Sequence, residues 1–391
     1  MKIIIKTVLI LVLINQVSLA KEFEVFLKEV LERSPYLNSS MLSIEQAQKE
    51  GNILNRYKNP SLELELSRFS PDIGNNKNGG RAAITQPLML WGVAGAKEQL
   101  ADAINESAKS TYAQKKAAFI KNISLLYLDY AEGEKFLKLA QETQTIAKKI
   151  YEISNARYEG GTISKGIMLQ SKIDYEMLVA QKENIDLRAR NSYYRLLKYA
   201  GQEDEVVLDS DYSFKLQANE NSQNPELQII HASKKQAISQ AEVASNKIEW
   251  LNVYAEYENE PDQDIARVGV SIPLAIFNTK SQEKQIALLE AKKSDLLVSN
   301  EMKKVSVELR RLQNERKSLT AMASKYQKLI TDEMQLLEMF QKAYKISNIN
   351  LLSLQDIKNK VVKTKEALIN IQTALNENAI LTNYIQGNYN E

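Results

Sequence analysis

The sequence predicts a mainly helical protein with a small β part, built as an internal duplication. Three observations carry this. The 391 residues include only 13 glycines and 7 prolines, against usual shares of about 7% and 5%; that excludes Gly/Pro-rich and turn-dense all-β chains and favours long helices. The prolines fall in two clusters, Pro35, Pro60, Pro71 and Pro87, then Pro225, Pro261 and Pro273, and a proline-free tract follows each. The clusters correspond, with Pro35 to Pro225 and Pro71 to Pro261 both 190 apart and Pro87 to Pro273 186 apart.

The flanking residues keep the offset. Ser34-Pro35-Tyr36-Leu37 answers Asn224-Pro225-Glu226-Leu227, and Gln86-Pro87-Leu88 answers Ile272-Pro273-Leu274. Further on, Ala156-Arg157-Tyr158 answers Lys342-Ala343-Tyr344. A period this long marks a duplicated half-protein, not a solenoid unit.

Residues 1–20 read as a signal peptide. Lys2 and Lys6 precede a short apolar run from Thr7 to Ile14, and Ser18-Leu19-Ala20 offers a small-x-small cleavage site before Lys21. Asn15 and Gln16 end the run too early for a membrane-spanning helix. The remainder divides into a first repeat over 21–210 and a second over 211–391. Each is expected to hold a helix, two strands and a long helical hairpin.

The strands follow a period of two. Leu62, Leu64 and Leu66 alternate with Glu63, Glu65 and Ser67. After the turn-rich segment 70–80, a weaker strand runs through Ala82, Ile84 and Gln86. In the second repeat Leu251, Val253, Ala255 and Tyr257 lie opposite Asn252, Tyr254, Glu256 and Glu258. Val268, Val270 and Ile272 lie opposite Arg267, Gly269 and Ser271. Runs of about ten residues fit tilted membrane-crossing strands; a soluble sheet with one wet face has the same pattern, and periodicity alone does not choose.

The proline-free tracts read as helices. Met302, Val305, Leu309, Leu312, Leu319, Met322, Tyr326, Leu329, Leu336 and Phe340 keep 3-4 spacing, with occasional skips, between charged residues, a heptad seam. A helix over 280–343 would run about 95 Å, with a partner of like length over 92–156. Each ends in a turn. The tip near 158–164 offers Gly160 and Gly161 for a left-handed helix end and Thr162 or Ser164 as the next N-cap. The tip near 344–350 has Ser347 and Asn348 as turn residues. Ile163, Ile167, Met168, Ile349, Leu351 and Leu352 are expected to be exposed there, as apolar docking residues.

Composition limits the chemistry. Lys plus Arg number 51 and Asp plus Glu 49, which gives no basic face for nucleic acid. Cysteine is absent and His231 is the single histidine, so thiolate and two-His metal sites and most triads are excluded. The expectation is a non-enzyme with no cofactor and no metal site.

With these features the chain resembles the TolC-type outer-membrane efflux channels, the outer membrane factor family. The resemblance rests on the duplication, on Asn59-Pro60-Ser-Leu-Glu-Leu opening the first strand, on Thr85-Gln86-Pro87-Leu88 before the long helix, and on Tyr158-x-x-Gly161-Thr162-Ile163-Ser164 with its copy at Tyr344. The stretch from Gln86 to Gly92 is most similar to the cobalt-zinc-cadmium branch. The resemblance implies a homotrimer in the outer membrane of a Gram-negative cell. Its long antiparallel hairpins would form a periplasmic α-barrel below a transmembrane β-barrel of twelve strands, four per subunit.

The function implied is the exit duct of a tripartite efflux pump, passing cations or small toxic compounds, with a periplasmic adaptor and a proton-driven inner-membrane pump as partners. The apolar strand faces would meet outer-membrane lipid, and Glu63, Glu65, Glu256 and Arg267 would line the barrel lumen. Gly160, Gly161, Thr162, Ile163, Ser164, Ser347, Asn348, Ile349 and Leu351 would form the adaptor-docking tips. Asp356 would ring the periplasmic constriction, with Ser353 at the family's other carboxylate position, and Ile349 replaces a gating arginine. The competing readings are a channel serving protein secretion and a secreted coiled-coil protein without a pore.

Overall fold

The computed structural model describes residues 21–70, 72–217 and 223–389. The expected signal peptide lies outside the described residues. Among the described residues, seven helices and four strands follow in order. Helix α1 spans Phe23–Arg33. After it come α2 (Pro35–Leu54), β1 (Ser61–Phe69), β2 (Lys77–Met89), α3 (Trp91–Glu159) and α4 (Lys165–Ala200). The same series then returns as α5 (Pro225–Ser245), β3 (Trp250–Glu260), β4 (Gln263–Ser271), α6 (Ser281–Lys345) and α7 (Leu351–Gln386).

The duplication is visible element by element. Both α2 and α5 start on a proline, whose missing N–H costs nothing in a first helical turn. Asn224 caps α5 by accepting from the amides of Glu226 and Leu227 at 2.9 and 3.1 Å. Helices α4 and α7 both contain 36 residues, while α3 and α6 contain 69 and 65. The fall in offset from 190 to 186 lies in the hairpin loops: β1 and β2 are joined by 70–76, whereas β3 and β4 are joined only by Pro261 and Asp262. Part of the segment read as turn, Lys77 to Gly80, is therefore the start of β2.

The repeats are not the compact units. One unit gathers Met1–Ser34, Ile123–Lys215 and Leu319–Glu377, and the other gathers Pro35–Asn122, Leu216–Ser318 and Asn378–Glu391. In the first unit, buried Ile150, Leu337, Tyr344, Leu351, Leu354, Ile357 and Val361 form one apolar cluster. At its α1 side Phe23 meets Tyr127 edge-on at 4.7 Å. Tyr130 donates its hydroxyl proton to the Leu208 carbonyl at 3.1 Å, so the chain after α4 is pinned by buried phenols.

The second unit holds the sheet, in the order β1-β2-β3-β4 with all neighbours antiparallel. Pro87 sits inside β2, yet it lies past the last β1–β2 pair, Ser61 with Thr85, and meets only β3 at Asn252. The strand therefore tolerates its missing N–H. Gly269 stands opposite Tyr254, where a Cβ would come within 2.5 Å of the tyrosine hydroxyl.

The heptad seam of α6 is partly displaced. Leu312 and Leu337 are buried, whereas Met302, Met322, Leu329 and Leu336 are exposed. The half-buried line runs through Ala323, Ile330 and Glu333 instead, one residue on from the apolar periodicity at Met322 and Leu329. Adjacent pairs such as Leu329-Ile330 and Leu336-Leu337 give this helix apolar residues on two faces, and the chain's own packing uses one. Among the described residues no helix is long and apolar enough to cross a membrane.

Candidate functional site: the hairpin tips and the polar strand face

Both tips, within the first unit, are the same turn. In the first, the Thr162 amide reaches the Arg157 carbonyl and the Gly161 amide the Tyr158 carbonyl, both at 2.9 Å. In the second, the Asn348 amide reaches the Ala343 carbonyl at 2.9 Å and the Ser347 amide the Tyr344 carbonyl at 3.2 Å. These paired bonds define a Schellman helix end, which needs one left-handed residue. Gly161 supplies it at φ 71° and Ser347 at φ 67°; Gly160 does not. The next helices start alike: Ser164 caps α4 by accepting from the Ile167 amide at 3.4 Å, and Asn350 caps α7 by accepting from the Ser353 amide at 2.8 Å.

A serine held left-handed is strained, and glycine is not. Ser347→Gly is therefore expected to stabilise the second tip by about 1 kcal/mol, and Gly161→Val to weaken the first by about 2 kcal/mol. No atom lies within 4 Å of a Cβ built on Gly161, so its cost is conformational alone. Amide hydrogen exchange over 156–166 and 342–352 reads both changes; faster exchange in Ser347→Gly would remove the account.

The tips differ in what surrounds them. Gly160, Gly161, Thr162, Ser164, Ser347 and Asn348 are exposed, and Ile163 and Ile349 are half-buried. Ile167 and Ile349 pack against the apolar cluster. Leu351 was expected at the surface but is 4% exposed. As the first residue of α7 it turns back over the helix end into the cluster with Tyr344 and Leu354. The exposed apolar side chains here include Ile346, Leu352, Leu169 and Tyr158.

Three contacts between the hairpins escaped the sequence reading. The Arg157 guanidinium lies 4.6 Å from the Tyr344 ring centre and donates to the Tyr344 carbonyl at 2.8 Å, a cation at a helix C-terminus. The Tyr344 hydroxyl meets Ser154 Oγ at 2.8 Å. Deeper in, the Lys358 side chain of α7 is 1% exposed and its ammonium reaches Asp174 of α4 at 2.6 Å. None of these pairs shows in local periodicity, because the partners lie in different repeats.

Asp356 is exposed on α7 and pairs with Lys360 at 2.8 Å, which holds the lysine ammonium above its ordinary pKa. Ser353 is half-buried. His231 lies exposed on α5, and no group of metal-ligating side chains occurs among the described residues.

In the second unit the sheet separates its residues cleanly. Register places Glu63, Glu65, Arg81, Glu256, Glu258 and Arg267 on one face. Arg81 joins Glu256 at 2.7 Å, Glu65 at 3.5 Å and Glu63 at 3.8 Å. Arg267 joins Glu258 at 2.7 Å and also Glu256. One ionic ladder thus crosses all four strands. The other face carries Leu62, Leu64, Leu66, Val268 and Val270, all exposed, Leu66 at 94%. Arg81 and Glu258 were not among the expected lumen residues; Arg81 was hidden because the second strand was read from its apolar alternation.

Just before β3, Glu249 is clamped by Lys97 at 2.9 Å and by Lys280. Burial works against its charge, and the two ammoniums more than offset that, so the carboxyl lies below the ordinary value. Its stabilisation is present above the unfolded carboxylate pKa and is lost as pH falls through the lowered folded one.

Residues 26–202 match the family model described as outer membrane efflux protein. No curated protein matches the sequence. Among solved structures, that of CusC, whose description concerns folding and transmembrane channel formation, aligns with TM-score 0.76 at 15% identity, over 93% of this chain and 91% of that one. The outer membrane protein VceC of Vibrio cholerae aligns with TM-score 0.74 at 15% identity, over 93% and 95%. The CmeC outer membrane channel of Campylobacter jejuni aligns with TM-score 0.71 at 14% identity, over 93% and 86%. The chain has the fold of these outer-membrane proteins, and its residues 26–202 carry the sequence pattern of outer membrane efflux proteins.

Proposed function

We propose that the protein is the outer-membrane exit duct of a tripartite efflux pump. The observation that carries this is the sheet: four strands with an exposed apolar face, a charged face, and two edges, β1 and β4, that no other strand pairs among the described residues. Such a sheet is stable only when its edges are closed and its apolar face is out of water. Three copies closing edge to edge make a twelve-strand barrel with lipid outside and the ionic ladder within, so Glu63, Glu65, Glu256 and Arg267, with Arg81 and Glu258, line the lumen. The long helices extend into the periplasm, and the exposed tip residues, with Leu352 in place of Leu351, meet a periplasmic adaptor joined to a proton-driven inner-membrane pump. The cargo is cations or small toxic compounds, and the branch is the cobalt-zinc-cadmium one, on the Gln86–Gly92 stretch.

Heat-resistant trimer migration and single-channel conductance in planar bilayers test this. A soluble monomer without conductance would refute it. Asp356→Asn should lower cation selectivity, because a ring of carboxylates at a narrow mouth favours cations, and Lys360→Ala, which frees Asp356 from its ion pair, should raise it. Reversal potentials across a salt gradient read both. Unchanged values in both would place Asp356 off the pore.

A further inference from the structure

Within the first unit, α3, α4 and α7 border a groove that is apolar along one side and charged along the other. On α3, Asp129, Glu132, Gly133 and Phe136 fall at i, i+3, i+4 and i+7, so they share one face. On α4, Ile185, Arg188, Ser192 and Arg195 do the same. The two helices touch at Gly133, where a Cβ would lie 3.1 Å from the Ala189 Cα. Alongside that contact the two faces, with Glu366 of α7, enclose a cleft of about 520 Å³, within the roughly 300–1,000 Å³ of small-molecule sites. Phe136 and Ile185 line both this cleft and a narrower apolar void beside it, which Leu139, Leu178 and Val362 complete. The charges are unevenly placed. Glu132 and Glu366 are half-buried, whereas Arg188 is exposed and the Arg195 side chain, 62% exposed, is joined to Asp129 at 3.6 Å. Glu366 has no ion-pair or hydrogen-bond partner among the described residues, Arg188 included. Burial pushes the Glu132 carboxyl above its ordinary value, and Asp129 and Glu377 add to this against the Thr373 hydroxyl and Lys135.

We propose that this cleft binds an amphipathic organic cation, its aromatic body on Phe136 and Ile185 and its positive charge between Glu132 and Glu366. A flat ring gains apolar burial and ring contact on a phenylalanine. A cation beside half-buried carboxylates is held more strongly than one in water, while the guanidiniums at the rim stand in solvent and are screened. An anion would meet two carboxylates, and a purely apolar ligand would desolvate them without giving a partner. A ligand in the cleft touches three helices at once, so it would fasten α7 to the α3–α4 hairpin. Binding needs only these three helices and stands or falls apart from the duct.

Ethidium, a flat aromatic cation, is the probe, and the purified full chain in a non-ionic detergent is titrated by equilibrium dialysis against detergent alone. Glu366→Gln is isosteric and breaks no pair, so it should fold as the parent does and bind ethidium at least about tenfold more weakly. Arg188→Gln, at the rim, should bind it more tightly. Hydrogen exchange then locates the ligand: ethidium should slow amides over 129–137 and 362–370 in the parent and not in Glu366→Gln. Anilinonaphthalene sulfonate, an aromatic anion, should protect neither segment. Three results overturn the site: ethidium bound equally by the parent and Glu366→Gln, protection confined to other segments, or the same protection by the anion, which would make the cleft an apolar groove without charge selection.

Discussion

Leu64→Lys should abolish the heat-resistant trimer. Leu64 lies mid-strand in β1 on the apolar face and is 74% exposed in the single chain. On the surface of a soluble protein that substitution would change stability by no more than about 0.5 kcal/mol. Facing lipid, a lysine near the bilayer midplane costs about 2–4 kcal/mol, once in each of three subunits. The neighbouring change Glu63→Gln, on the ionic face, should leave assembly intact and reduce cation preference. Outer-membrane fractionation with unheated gel migration compares the two. A Leu64→Lys protein that assembles as well as Glu63→Gln would mean that the apolar face is not in hydrocarbon.

Asp174→Ala should unlock the helical tips. It leaves the Lys358 ammonium buried without the carboxylate it reaches at 2.6 Å, and stranding a buried charge costs about 3–5 kcal/mol. Lys358→Met removes the charge itself and keeps an unbranched side chain at the same buried position, so it should cost far less. The double variant Asp174→Leu with Lys358→Met should approach the parent, a non-additivity that only a coupled pair produces. Hydrogen exchange over 165–180 and 351–365 reads this locally, with amides in Asp174→Ala opening at least about a hundredfold faster. Equal effects of the two single changes would show that the contact is packing and not charge pairing.

The architecture was legible where period and punctuation agree. The expected helix over 280–343 runs from Ser281 to Lys345, and the one over 92–156 from Trp91 to Glu159, because proline-free, glycine-poor tracts leave nothing to interrupt them. All four strands lie where alternation placed them. What failed did so for local reasons. Leu351 is apolar at a turn, and composition cannot say on which side of a helix start a residue falls; its N-cap, Asn350, turns it inward. Met322, Leu329 and Leu336 keep the period but sit beside the seam, since a helix with two apolar faces has more than one valid register. Lys358 was invisible because lysine is normally solvated and its partner lies 184 residues away. Ser347 was read only as a turn residue, and the structure adds that it is the left-handed one, so the backbone there bears the strain that glycine avoids at Gly161.

The unequal hairpin loops have a consequence for variation. One connection is Pro261 and Asp262 alone, a turn in which proline presets the backbone and any inserted residue would disturb the β3–β4 register. The other, 70–76, is long enough to grow or shrink without moving a ladder pair. In a closed ring of three subunits the two would alternate around the outer rim, three places that accept change between three that resist it. Recognition by antibodies or phages, and any epitope tag placed by an experimenter, would accordingly concentrate on the first repeat. If the proposed barrel forms, the duplication leaves one half to hold its geometry and the other to vary.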